Sequence, residues 1–125
     1  MITAAAIVAC LILLALAVFQ ALLIAGRPLG RYAWGGQHDV LPRKFRIGSA
    51  ISILLYAVIA IIILENAGIA NMLPEPVAEI GIWAVTTYFA IGIVMNGVSR
   101  SKPERNLMTP VCIVLTVLCL IVALG

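Results

Sequence analysis

Apolar residues form four long runs, at 2–25, 47–64, 80–98 and 109–124, and every charged residue lies outside them. At about 1.5 Å per residue a helix of 16 to 24 residues is about 24 to 36 Å long, which matches a hydrocarbon core of about 30 Å. The pattern predicts one all-α domain over 1–125, a four-transmembrane-helix antiparallel bundle. The expected helices cover about 2–25, 42–64, 79–98 and 102–124.

The composition supports a membrane protein. Hydrophobic residues make up 64% of the chain and charged residues 10%, whereas about a quarter of the residues in soluble domains are charged. The first run has no cation before Arg27 and is longer than the apolar core of a secretory signal peptide. We therefore expect it to be a retained membrane span.

The segments between the runs differ in charge. All eight Lys and Arg residues fall in 27–46 and 100–105, while the segment 65–79 holds three carboxylates and no cation. Short loops rich in Lys and Arg remain in the cytoplasm. The distribution predicts a multi-pass protein of the cell membrane with both basic segments in the cytoplasm and both termini outside.

The first basic segment carries an interfacial loop, with Trp34, Gln37 and His38 as its candidate contact residues. Tryptophan is enriched at headgroup depth, where its ring is in an apolar layer and its N–H remains hydrated. In the second basic segment, Ser101 and Glu104 have the spacing of a capping box, which predicts the start of the fourth helix there. Pro110 then predicts a kink in that helix.

Small and polar residues recur at helical spacing on one face of each predicted helix. The most polar positions form a predicted seam: Gln20, Ser49, Ser52, Tyr56, Asn96 and Thr109. One interpretation is packing, because transmembrane helices associate through small residues and hydrogen bonds. The other is a polar vestibule open to the cytoplasm and bordered by cations. Its candidate cations, also the candidate headgroup contacts, are Arg27, Arg31, Arg43, Arg46, Arg100 and Arg105.

Catalytic chemistry has little support. His38 is the one histidine and lies in a loop, and the three cysteines form no CxxC pair. We expect no catalytic residue, no metal site, no cofactor and no enzymatic activity. The chain is similar in length and helix count to small multidrug transporters, but their membrane-embedded glutamate has no counterpart in the first run.

One further resemblance covers most of the chain. It is carried by the stretch 34–38 (WGGQH), by Leu41-Pro42, and by the motifs at 99–105 and 109–110. In these residues the chain resembles a group of small bacterial four-helix integral membrane proteins. The resemblance implies a membrane bundle and no particular activity.

The sequence therefore favours a binding or accessory membrane protein. Its basic loops are expected to engage anionic lipid headgroups or a partner membrane protein. The alternative is an oligomeric channel or carrier for a small anion, because one four-helix protomer rarely encloses a pore. The expected partners are membrane lipids and a second copy or another membrane protein. Nucleic acid is not expected, because the net charge of +3 comes from short membrane-flanking loops.

Overall fold

A computed structural model describes residues 1–125 and contains four α-helices and no strands. They are α1 (Ile2–Ile24), α2 (Arg43–Asn66), α3 (Glu75–Gly97) and α4 (Lys102–Leu124). Each has 23 or 24 residues, about 35 Å at 1.5 Å per residue. All four are long and apolar enough to cross a membrane. The predicted all-α four-helix bundle is confirmed.

The helices run up and down in chain order, and α4 returns to pack on α1. One end of the bundle carries residues 25–42 and 98–101 and is called the basic end. The other end carries residues 67–74 and both termini and is called the acidic end. Packing is extensive between α1 and α2, between α1 and α4 and between α3 and α4, and α2 and α3 have less contact than these three pairs.

The core between α1 and α4 is built from small residues. Ala6 and Ala9 of α1 are fully buried, as are Leu115 and Cys119 of α4, and Cys10 packs against the same cluster. Small side chains let two helix backbones approach closely, which is the usual basis of helix association in lipid. The outward faces are covered with exposed Ile, Leu and Val side chains, as expected of helices surrounded by hydrocarbon.

Helix α3 begins at Glu75, four residues before the predicted start. Pro74 is its N-cap residue and Pro76 lies in its first turn, where a missing backbone N–H costs nothing. Asn66 secures the junction with α2, since its Nδ2 donates to the Ile62 and Ala78 carbonyls at 2.8 Å each. The connection between α2 and α3 therefore comprises residues 67–74 and is shorter than the predicted helix limits imply.

Helix α4 begins as predicted, with Ser101 as its N-cap. The Ser101 hydroxyl accepts a hydrogen bond from the backbone N–H of Glu104 at 3.4 Å. The reciprocal half of a capping box is not formed, because both Glu104 oxygens are engaged by other groups. The helix continues through Pro110.

Candidate functional site

The bundle encloses a cavity of about 390 Å³ at its basic end, within the usual range for small-molecule sites. All four helices and the segment 25–42 contribute to its wall, and 14 of the 18 lining residues are hydrophobic. The lining residues are Leu16, Phe19, Gln20, Tyr32, Ala33, Trp34, Tyr56, Tyr88, Phe89, Ile91, Gly92, Met95, Asn96, Glu104, Met108, Val111, Cys112 and Leu115.

Part of the cavity wall lies at the surface of the bundle. Helices α2 and α3 are in contact near their connecting turn, where a Cβ added to Gly81 would lie 3.2 Å from Ile62. Toward the basic end, α3 presents Tyr88, Ile91 and Met95, which line the cavity and are 48%, 57% and 65% exposed. These three residues lie at spacings of three and four on one helix face. This part of the cavity wall therefore belongs to the exposed outer surface of α3.

The segment 25–42, which we call the cap segment, folds over the basic end of the cavity. It contains two short 3-10 turns, Gly30–Tyr32 and Trp34–Gly36, and is closed by a hydrogen bond from Gly30 N to Asp39 O at 2.8 Å. Leu41 is 2% exposed and anchors its far end. The predicted interfacial loop is therefore a folded element.

Trp34 is the most constrained residue of the cap segment. It has φ +53°, and Gly35 and Gly36 follow with φ +76° and +71°, so three consecutive residues are in the left-handed region that favours glycine. The Trp34 ring stacks on Phe45 with centroids 5.1 Å apart. The Trp34 ring also lies against Gly48, and a Cβ added to Gly48 would be 2.8 Å from the ring.

Glu104 ties the cap segment to α4. It is 7% exposed, its Oε1 accepts from the Ser99 hydroxyl at 2.5 Å, and its Oε2 accepts from Gly35 N at 3.2 Å. The Ser101 hydroxyl adds a second link by donating to the Arg31 carbonyl. A buried carboxylate is stable only when its oxygens are hydrogen-bonded, and here two donors satisfy that need.

Two polar pairs lie in the cavity wall. Gln20 Nε2 donates to the Tyr56 hydroxyl at 3.3 Å and joins α1 to α2. Asn96 Nδ2 donates to the Gly92 carbonyl at 2.8 Å and to Cys112 Sγ at 3.4 Å, which joins α3 to α4. The cavity is thus apolar with hydrogen-bonding groups at a few positions, the usual composition of a ligand pocket.

The structure brings together half of the predicted polar seam. Gln20, Tyr56 and Asn96 line the cavity, whereas Ser49, Ser52 and Thr109 do not. Ser49 is fully buried, and Ser52 donates to the Gly48 carbonyl within its own helix at 3.0 Å. These other positions serve helix packing.

The six predicted arginines lie at the basic end, outside the cavity wall. Four are exposed: Arg27, Arg31, Arg43 and Arg100. Arg46 is half-buried and its Nε donates to the Leu41 carbonyl at 2.8 Å, while Arg105 Nη1 donates to the Ser99 carbonyl at 3.4 Å. The cations therefore lie at the basic end of the bundle and do not line the cavity.

The three residues that were predicted as contacts of the interfacial loop lie in different surroundings. Trp34 lines the cavity, Gln37 is exposed, and His38 is exposed with its ring centroid 5.8 Å from that of Phe45. The sequence did not identify Glu104 as a cavity residue, because its position three residues after Ser101 also fits a capping role.

Comparisons with protein-family models, with curated proteins and with solved structures found no match to this chain.

Proposed function

We propose that this protein binds an anionic membrane amphiphile, with the hydrocarbon chain of the ligand in the cavity and its charged group among the arginines of the basic end. The observation that carries the proposal is a largely apolar cavity at the basic end of the bundle, the same end that carries four exposed arginines. Each cation near a membrane surface attracts anionic lipid by about 1 kcal/mol.

The proposal includes an orientation. All eight cations are at the basic end and three of the five carboxylates are at the acidic end, so the positive-inside rule places the basic end in the cytoplasm. The cavity would then accept its ligand from the inner leaflet, through the side of its wall where α3 residues are exposed. Binding of this kind requires no catalytic group.

The absence of cations from the lining favours binding over anion conduction. A small anion that entered the cavity would meet Gln20, Tyr56, Asn96 and the carboxylate of Glu104. Desolvating an anion in such surroundings, without a paired cation, is strongly unfavourable. A hydrocarbon chain instead gains free energy from the apolar wall, at about 25 cal/mol per Å² buried.

The test is lipid retention by the full-length protein, measured by native mass spectrometry after exchange into a mixture of anionic and zwitterionic phospholipids with identical chains. Val111→Phe places extra atoms in the cavity and should reduce retention of both lipids. Val114→Phe is the matched control, because Val114 is on the same helix, is 45% exposed and does not line the cavity.

A second experiment tests whether the exposed arginines recognise the lipid headgroup. Replacing the exposed Arg31 and Arg43 with Gln should lower the preference for anionic over zwitterionic lipid by roughly tenfold or more, since about 1 kcal/mol per cation is lost. Equal retention by Val111→Phe and the wild type would refute the cavity as the binding site. Protein-dependent anion flux from sealed vesicles would instead favour the channel or carrier interpretation.

A further inference from the structure

Aromatic residues are concentrated in the wall of the cavity. They make up 6% of the chain, yet six of its eight aromatic residues are among the 18 residues that line the cavity. These six come from α1, the cap segment, α2 and α3: Phe19, Tyr32, Trp34, Tyr56, Tyr88 and Phe89. The exposed apolar side chains of the helices are instead mainly Ile, Leu and Val. The cavity wall therefore differs in chemistry from the surface that faces lipid.

An aromatic belt at headgroup depth does not account for this distribution. Such belts place Trp and Tyr where helices meet the membrane surface, and Trp34 in the cap segment fits that pattern. Tyr56, however, lies 13 residues beyond the start of α2, about 20 Å from the basic end of that helix. Phe89 lies eight residues before the end of α3, about 12 Å from its basic end. The aromatic wall therefore extends into the membrane-spanning part of the bundle.

This wall favours an aromatic ligand over an aliphatic one. Aromatic rings attract one another in offset or edge-to-face arrangements beyond what burial of their area supplies, as Tyr88 and Phe89 do with centroids 5.3 Å apart. Met95 and Met108 also line the cavity, and thioether sulfur makes favourable contacts with aromatic rings. A saturated chain finds an equally apolar environment in the surrounding lipid. An aromatic ring is thus the group for which the cavity differs most from the bilayer.

The cavity has room for a ring and part of a chain. Its volume is about 390 Å³, and an apolar cavity of about 150 Å³ can hold one benzene molecule. We infer that the cavity recognises an anionic amphiphile whose apolar part carries an aromatic ring. The inference rests on the proposed amphiphile binding and adds the chemical class of the apolar part. Phe19 and Tyr88 would act as specificity-determining residues.

The experiment compares two probes with the same charged group and the same number of carbon atoms, 6-phenylhexyl phosphate and 6-cyclohexylhexyl phosphate. Both are added at equal concentration to the full-length protein in detergent micelles, and native mass spectrometry measures the ratio of the two bound forms. Both rings leave water when they enter a micelle, so the ratio compares the cavity with hydrocarbon. The wild type should bind the phenyl probe about two- to tenfold more tightly.

Phe19→Leu and Tyr88→Leu should each lower this ratio by about twofold or more, because each removes a ring from the wall and keeps an apolar side chain there. Neither residue belongs to the buried core, so both variants should fold. Tyr88→Phe keeps the ring and should keep the ratio. Trp83→Leu is the matched control, since Trp83 is also on α3 and is 43% exposed but does not line the cavity.

The outcomes separate the two proposals. If the wild type binds the cyclohexyl probe as tightly as the phenyl probe or more tightly, and Val111→Phe weakens both, amphiphile binding stands and recognition of the ring is refuted. If the wild type binds neither probe but retains phospholipid, the ring inference alone fails, and if it retains neither, both proposals fail. An equal fall in the ratio in Trp83→Leu and Tyr88→Leu would also refute the inference, because the preference would not originate in the cavity.

Discussion

Alanine substitutions in the cap segment test whether packing on Ser101 holds this segment closed. Two adjacent glycines have the same backbone conformation there but different surroundings. Gly35 and Gly36 have φ +76° and +71°, and placing alanine in the left-handed region costs roughly 1–2 kcal/mol at either position. A Cβ at Gly35 would meet no atom within 4 Å, whereas a Cβ at Gly36 would overlap Cβ and Oγ of Ser101.

The overlap of a Gly36 Cβ with Ser101 sets the expected difference in free energy between the two variants. Overpacking costs typically about 1–3 kcal/mol, and in Gly36→Ala the displaced Ser101 hydroxyl would also lose its bond to the Arg31 carbonyl. We expect the closed form of the cap segment to lose about 1–3 kcal/mol more in Gly36→Ala than in Gly35→Ala. That is roughly a five- to 150-fold larger change in the ratio of closed to open forms.

The fluorescence of Trp34 reports opening of the cap segment. Its ring stacks on Phe45 in the closed form, so opening of the cap segment should increase its quenching by acrylamide. Trp83→Phe removes the one other tryptophan and is the background for both variants. If Gly36→Ala increases quenching of Trp34 no more than Gly35→Ala does, the packing of Gly36 on Ser101 does not hold the cap segment closed.

Two further predictions concern the ends of the bundle. In a variant without the native cysteines, a thiol at Gln37 should react with an impermeant reagent only from the cytoplasmic side and a thiol at Asn71 only from outside; the reverse pattern would overturn the orientation. Glu65→Ala should lower the thermal midpoint in detergent, because the Glu65 carboxylate accepts the backbone N–H groups of Met72 and Leu73 and each such hydrogen bond contributes about 0.5–1.5 kcal/mol. The exposed Glu79 is the control, and an equal loss in Glu79→Ala would contradict this role.

The number and type of the helices are determined by the sequence. Runs of apolar residues long enough to cross hydrocarbon have no stable alternative to a helix, since backbone polar groups in lipid must be satisfied within the segment. Ser101 marks the start of α4 for a local reason, its hydroxyl capping the first turn. The start of α3 was misplaced because Pro74 and Pro76 fit either a loop or a first helical turn.

The tertiary structure alone decided which polar residues share a site. Periodicity places Gln20, Tyr56 and Asn96 on helix faces, but the cavity that they line is formed by all four helices and the cap segment together. Glu104 fits a local capping pattern in the sequence, whereas the fold directs its carboxylate to Ser99 and to Gly35, 69 positions away along the chain. Local patterns follow from neighbouring residues, and contacts of this kind depend on how separate helices pack.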